Sequence, residues 1–122
     1  MRHALSIAIF SVLLLTLTSF QRHAPRFDEM YECHIITDAE VTLYGEDDFE
    51  QIDSEEIMAA IAHGRRVGVT FRPRYLVHLF DDDGIRYKLY ISKSGFYVSV
   101  DSNTFKLSRF RRNQLLRLLP TV

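Results

Sequence analysis

The chain has one cysteine, Cys33, so it cannot close a disulfide within itself. It also has no tryptophan, only three prolines and only five glycines. Such a composition excludes collagen-like and low-complexity polymers. None of the glycines falls in a phosphate-cradling loop or in a Gly-x-Ser-x-Gly elbow. Without them the chain lacks the usual backbone signatures of nucleotide binding and of an exposed nucleophilic serine. The five histidines, His3, His23, His34, His63 and His78, include no pair four residues apart. A helical zinc pair needs that spacing. Cys33 and His34 are adjacent, and neighbours on a strand point to opposite faces. The residues therefore imply neither a metal nor a cofactor.

Charge of one sign is missing over long stretches. Residues 27–64 hold twelve acids and no Lys or Arg, whereas residues 65–122 hold twelve bases and four acids. The whole chain is nearly neutral, at −1. The simpler expectation is that the two halves pack together and pair their charges, with the carboxylates of a helix at 53–63 near Arg65 and Arg66. The alternative is a dipolar surface that meets a charged partner.

One long hydrophobic run is present. Met1-Arg2-His3 is a short basic start, and residues 4–20 then carry no charge until Arg22. That layout predicts an export segment. Small residues at the spacing of a cleavage site are imperfect around Thr16-Leu17-Thr18 and Leu17-Thr18-Ser19. Seventeen residues is also about the shortest span that crosses a bilayer. Residues 1–24 are thus expected to be a signal peptide or an uncleaved anchor, and residues 25–122 one α+β domain. The domain is then secreted, periplasmic or membrane-anchored outside the cytoplasm, with residues 4–20 in the membrane if they are not cleaved.

Pro25 breaks the linker that follows. Residues 33–37 and 40–44 read as two short strands or one bent strand, and 46–51 as an acidic loop. Asp53 and Glu56 have capping-box spacing before a helix at 53–63 that buries Ile57, Met58 and Ile61, with Gly64 as its C-terminal cap. Residues 66–71 alternate as a strand with Val67, Val69 and Phe71 on one face. A meander follows at 75–80, 85–91, 96–100 and 104–107. Turn residues join its strands: Asp81-Asp82-Asp83-Gly84, Ser92-Lys93-Ser94-Gly95 and Asp101-Ser102-Asn103. The aspartate run resembles the start of a calcium loop, but no carboxylate follows in Ile85-Arg86-Tyr87-Lys88, so a turn explains it better. In the strand at 85–91, Ile85, Tyr87, Leu89 and Ile91 are expected on the apolar face, and the opposite face reads as polar but aromatic-bearing. Ser108 caps a last helix at 109–119, stopped by Pro120. The expected architecture is an antiparallel sheet of about four to five strands, one helix packed on it and a short C-terminal helix.

The densest basic cluster, Arg109, Arg111, Arg112 and Arg117, is the candidate partner-binding site. Its partner would be another protein or an anionic envelope component such as lipid head groups. Nucleic acid is not expected, because an exported chain rarely meets it and the aromatics lie away from this helix. The leading expectation is a non-enzymatic exported protein that binds a macromolecule, as an inhibitor, immunity or envelope-accessory protein. One alternative is a small hydrolase or transferase using Cys33 or His78. Another is a structural envelope protein held by an uncleaved anchor.

Overall fold

The computed structural model describes residues 24–121. The apolar run at 4–20 lies outside them. Among the described residues no helix is long and apolar enough to cross a membrane.

In chain order the elements are α1 (Phe27–Met30), a 3-10 turn at Cys33–Ile35, β1 (Ile36–Leu43), β2 (Glu50–Ile52), α2 (Ser54–Ile61), β3 (Arg65–Val67), β4 (Pro73–Asp81), β5 (Arg86–Ser92), β6 (Tyr97–Val100), β7 (Asn103–Lys106) and α3 (Arg109–Leu118). The fold is α+β. Its seven strands form one antiparallel sheet in the order β2-β1-β4-β5-β6-β7-β3.

Alternation along the strands decides which face is covered. Ala39 and Val41 of β1, Val77 and Leu79 of β4, Leu89 and Ile91 of β5, Val98 and Val100 of β6 and Phe105 of β7 are all buried. They form one cluster with Ile57, Met58, Ala60 and Ile61 of α2 and with Leu115 and Leu119 at the end of α3. Both helices therefore lie on one face of the sheet, and the other face is bare of helices among the described residues. Asp53 caps α2 by accepting a hydrogen bond from the Glu56 amide at 3.1 Å, and Ser108 accepts from the Arg111 amide at 3.3 Å to cap α3.

Two segments carry the chain between distant strands. β2 is one edge of the sheet and β3 the other, so the stretch containing α2 crosses the covered face. The chain then returns from β3 to the middle of the sheet, where β4 lies between β1 and β5. On that return Phe71 stacks on Tyr97 of the bare face, with ring centroids 6.3 Å apart.

The sheet has more strands than the expected four to five, because the acidic stretch read as a loop contains β2 and because β3 joins the far edge. β2 is only three residues long, and its acidic exposed face hid the strand period. Cys33–Ile35 is a 3-10 turn rather than a strand. β1 runs unbroken through Asp38 and Ala39, with the irregularity falling between Ile36 and Asp38. The strand expected at 66–71 stops at Val67, leaving Val69 44% exposed while Phe71 turns onto the bare face. Of the four residues expected on the apolar face there, only Leu89 and Ile91 of β5 are buried; Tyr87 is 37% exposed, and Ile85, just before the strand, is 54% exposed. Gly64 is not a left-handed cap, since only Gly45, Gly84 and Gly95 among the glycines have positive φ. Its constraint is close packing. A Cβ there would sit 2.9 Å from Leu107 Cδ2 and 3.2 Å from the Ile61 carbonyl oxygen.

The expected charge pairing is also absent. Among the described residues no Lys or Arg of 65–122 pairs with a carboxylate of 27–64. The ion pairs join Arg26 to Asp28 and Glu29, and two imidazole–carboxylate contacts bring His63 to Asp28 and His78 to Glu40. Strand order explains this. β2 and the acidic loop before it occupy one edge, while Arg65, Arg66 and Lys106 lie at the other.

Candidate functional site

The four arginines of the candidate cluster divide by what they touch. Arg112 is built into the fold: Nε donates to the Ser94 carbonyl at 2.7 Å, and the guanidinium lies 4.8 Å from the centre of the Phe96 ring. Arg111 is half-committed, donating to Gln114 at 3.0 Å with its guanidinium 5.4 Å from the Phe110 ring. Arg109 and Arg117 are exposed and form no ion pair among the described residues. Between them stands a residue that charge counting overlooks. Phe110 is 72% exposed, the most exposed large apolar side chain described. Its signal in the sequence was an aromatic set directly among arginines, Arg109-Phe110-Arg111-Arg112. Glu56 of α2 shares a shallow recess with Phe110, Arg111, Gln114 and Arg117, and it forms no ion pair among the described residues.

Cys33 and His78 lie on opposite sides of the sheet. Cys33 packs half-buried against the core cluster, with Sγ 3.7 Å from the Tyr31 carbonyl oxygen. His78 follows core-facing Val77 in β4 and so points to the bare face. There Nδ1 lies 3.0 Å from Glu40 Oε1, and Phe49 stacks on the ring at 4.4 Å. The structure thus does not join the two into a nucleophile–base pair. Burial, and secondarily the nearby Asp28 carboxylate, raise the Cys33 pKa above its ordinary value. Only the thiolate attacks. A thiol reagent near neutral pH is therefore expected to label Cys33 slowly in the native protein and rapidly after denaturation. Equal rates would show that neither burial nor charge protects the sulfur.

The aspartate run is occupied by its own turn. Asp81 Oδ1 accepts from the amides of Asp83 and Ile85 at 3.0 and 2.9 Å, and Oδ2 accepts from the Tyr87 hydroxyl at 3.1 Å. That hydrogen bond is the main cause of the raised Tyr87 pKa. The three aspartates come close enough to meet one ion, yet both oxygens of the buried one already have partners. Nearby, Phe27, Met30, Tyr31, Ile35, Met58 and Tyr87 line an apolar recess of about 240 Å³.

The bare face holds the other grouping. Successive pairings align Thr42, Leu76, Tyr90, Ser99, Thr104 and Val67 in one row across six strands. Tyr44 lies beside this row, its ring centroid 6.0 Å from that of Tyr90. The returning segment at 68–72 closes one side. The result is a groove of about 330 Å³ between that segment and the sheet. At one end of the row the Thr42 hydroxyl is buried and has no hydrogen-bond partner among the described residues. Sequence reading found the face aromatic-bearing but could not assemble the groove, because the strand order that aligns the row is a non-local fact. No family model, curated protein or solved structure matches this chain.

Proposed function

We propose that the chain is a non-enzymatic, exported or membrane-tethered protein of the envelope-accessory kind, and that α3 is its contact with an anionic envelope surface. The observation that carries this reading is Phe110, 72% exposed and flanked by Arg109, Arg111 and Arg117. Cations in the first turn oppose the helix dipole, each by roughly 0.3–1 kcal/mol. α3 has Arg109, Arg111 and Arg112 there and no acid. Anionic head groups would offset that cost, and the Phe110 ring suits the boundary between head groups and acyl chains. If residues 4–20 stay in the membrane, they supply a tether and α3 a second, weaker attachment.

The test is partition of a chain starting at residue 24 onto vesicles, with or without a phosphatidylglycerol fraction. A basic residue near an anionic surface contributes about 1 kcal/mol, or about fivefold. The double variant Arg109→Ala, Arg117→Ala is expected to weaken partition about 30-fold. Binding to neutral vesicles should be negligible, and raised salt should reduce binding to the anionic ones. Equal binding of variant and parent would refute the role of α3.

A further inference from the structure

We propose that the groove on the bare face of the sheet binds a neutral saccharide chain. The site lies on the side of the sheet opposite α3 and does not depend on the reading of that helix. Three aromatic rings, those of Tyr44, Phe71 and Tyr90, supply flat apolar surface, and Tyr44 is 55% exposed. The hydroxyls of Thr70, Ser99, Ser102 and Thr104 border the same space. Among the described residues none of these four hydroxyls makes a side-chain hydrogen bond within the protein. Among the described residues none that lines the groove is charged.

This combination selects a ligand class. A sugar ring presents C–H groups on its face and hydroxyls around its rim. The first kind of surface stacks on aromatic rings. The second exchanges hydrogen bonds with serine and threonine hydroxyls, each of which can both donate and accept. A nucleic acid would also stack, but its phosphates need cations that the lining lacks. A peptide adding to a sheet needs an unpaired edge, and the groove lies over interior strands. An acidic ligand finds no countercharge. A volume of about 330 Å³ is at the small end for a ligand pocket, as suits a short run of sugar units passing over an open site.

The groove is also built by the fold. The row Tyr90–Ser99–Thr104 is held in register by three consecutive hairpin strands, so its side chains need little ordering on binding. Ser102 enters from the β6–β7 turn. There it and Asp101 adopt left-handed backbone, with φ of 66° and 50° and no glycine to ease the geometry.

The experiment titrates the full chain in detergent with two neutral probes, a glucan hexamer and an N-acetylglucosamine hexamer. Aromatic ring resonances report the site, and a third titration uses an anionic oligosaccharide. At least one neutral probe is expected to bind and to shift the Tyr44, Tyr90 and Phe71 rings. Tyr44→Ala should weaken that binding by about fivefold or more, since one stacked ring is lost. Tyr44 is so exposed that the fold should not depend on it. Thr70→Val, on the returning segment, should weaken binding without altering the sheet. Arg109→Ala should leave saccharide affinity unchanged. Binding by neither neutral probe overturns the proposal. So does binding that Tyr44→Ala leaves intact, or binding confined to the anionic probe and lost with Arg109→Ala.

Discussion

Replacing Phe105 with alanine is expected to lower unfolding free energy by about 3–5 kcal/mol, the range for removing a buried phenylalanine side chain. Phe105 is fully buried in β7, between outward-facing Thr104 and Lys106. Its ring meets Phe27 edge-on at 5.1 Å and Tyr31 at 6.1 Å. Those two rings bring α1 onto the sheet, helped by hydrogen bonds from Tyr31 to the Val100 carbonyl and from Asn103 to the Tyr31 hydroxyl. The loss has two parts, the transfer of the ring from water and the cavity left behind. α1 is a single turn and cannot close that cavity without giving up its own contacts. Domains of this size have a total stability of about 5–15 kcal/mol, so the variant loses a large share of it. Denaturant titration measures the loss. Amide exchange should accelerate first at 27–31, where the rings lean on Phe105. A change under about 1 kcal/mol would mean that α1 is held by something other than this aromatic cluster.

What could be read beforehand depended on how local its cause was. The caps at Asp53 and Ser108, the Asp81-to-Gly84 turn and the hairpin meander each follow from neighbouring residues, and each appears in the structure. α2 was legible because Ile57, Met58 and Ile61 repeat at helical spacing. β2 was not, since three residues carry too little alternation to stand out from an acidic loop. Phe71 was assigned to a strand from its alternation with Val67 and Val69, but the chain must leave the edge after Val67 to reach the centre of the sheet. That demand comes from topology, which no local pattern encodes. The same holds for function. The arginine cluster is contiguous and could be found by counting, although its four members prove unequal once Arg112 is seen holding the Ser94 carbonyl. The groove draws Tyr90 and Ser99 from two strands and Tyr44 from the turn after β1, and only the pairing order brings them together.

The acidic and basic halves offer one account of how the domain holds together, but the structure assigns that role to burial, and a pair of variants separates the two accounts. Ile61→Ala should cost about 2–5 kcal/mol. Ile61 is fully buried on the inner side of α2, beside Ile57 and Ala60, so truncation opens a cavity where helix meets sheet. Glu55→Gln should cost less than about 1 kcal/mol. The Glu55 carboxylate is exposed and has no ion-pair partner among the described residues. Its remaining contribution is its place in the first turn of α2, where a negative charge favours the helix dipole. Urea titration of both variants at low and high salt provides the comparison. The Ile61→Ala loss should be nearly independent of salt, and the small Glu55→Gln loss should shrink as salt screens the dipole. The reverse ranking, a severe Glu55→Gln beside a neutral Ile61→Ala, would remove α2 from the covered face of the sheet. It would also make charge pairing between the two halves the better account of how the helix is held. With the expected ranking, burial beneath α2 rather than the exposed Glu55 carboxylate holds the helix on the sheet.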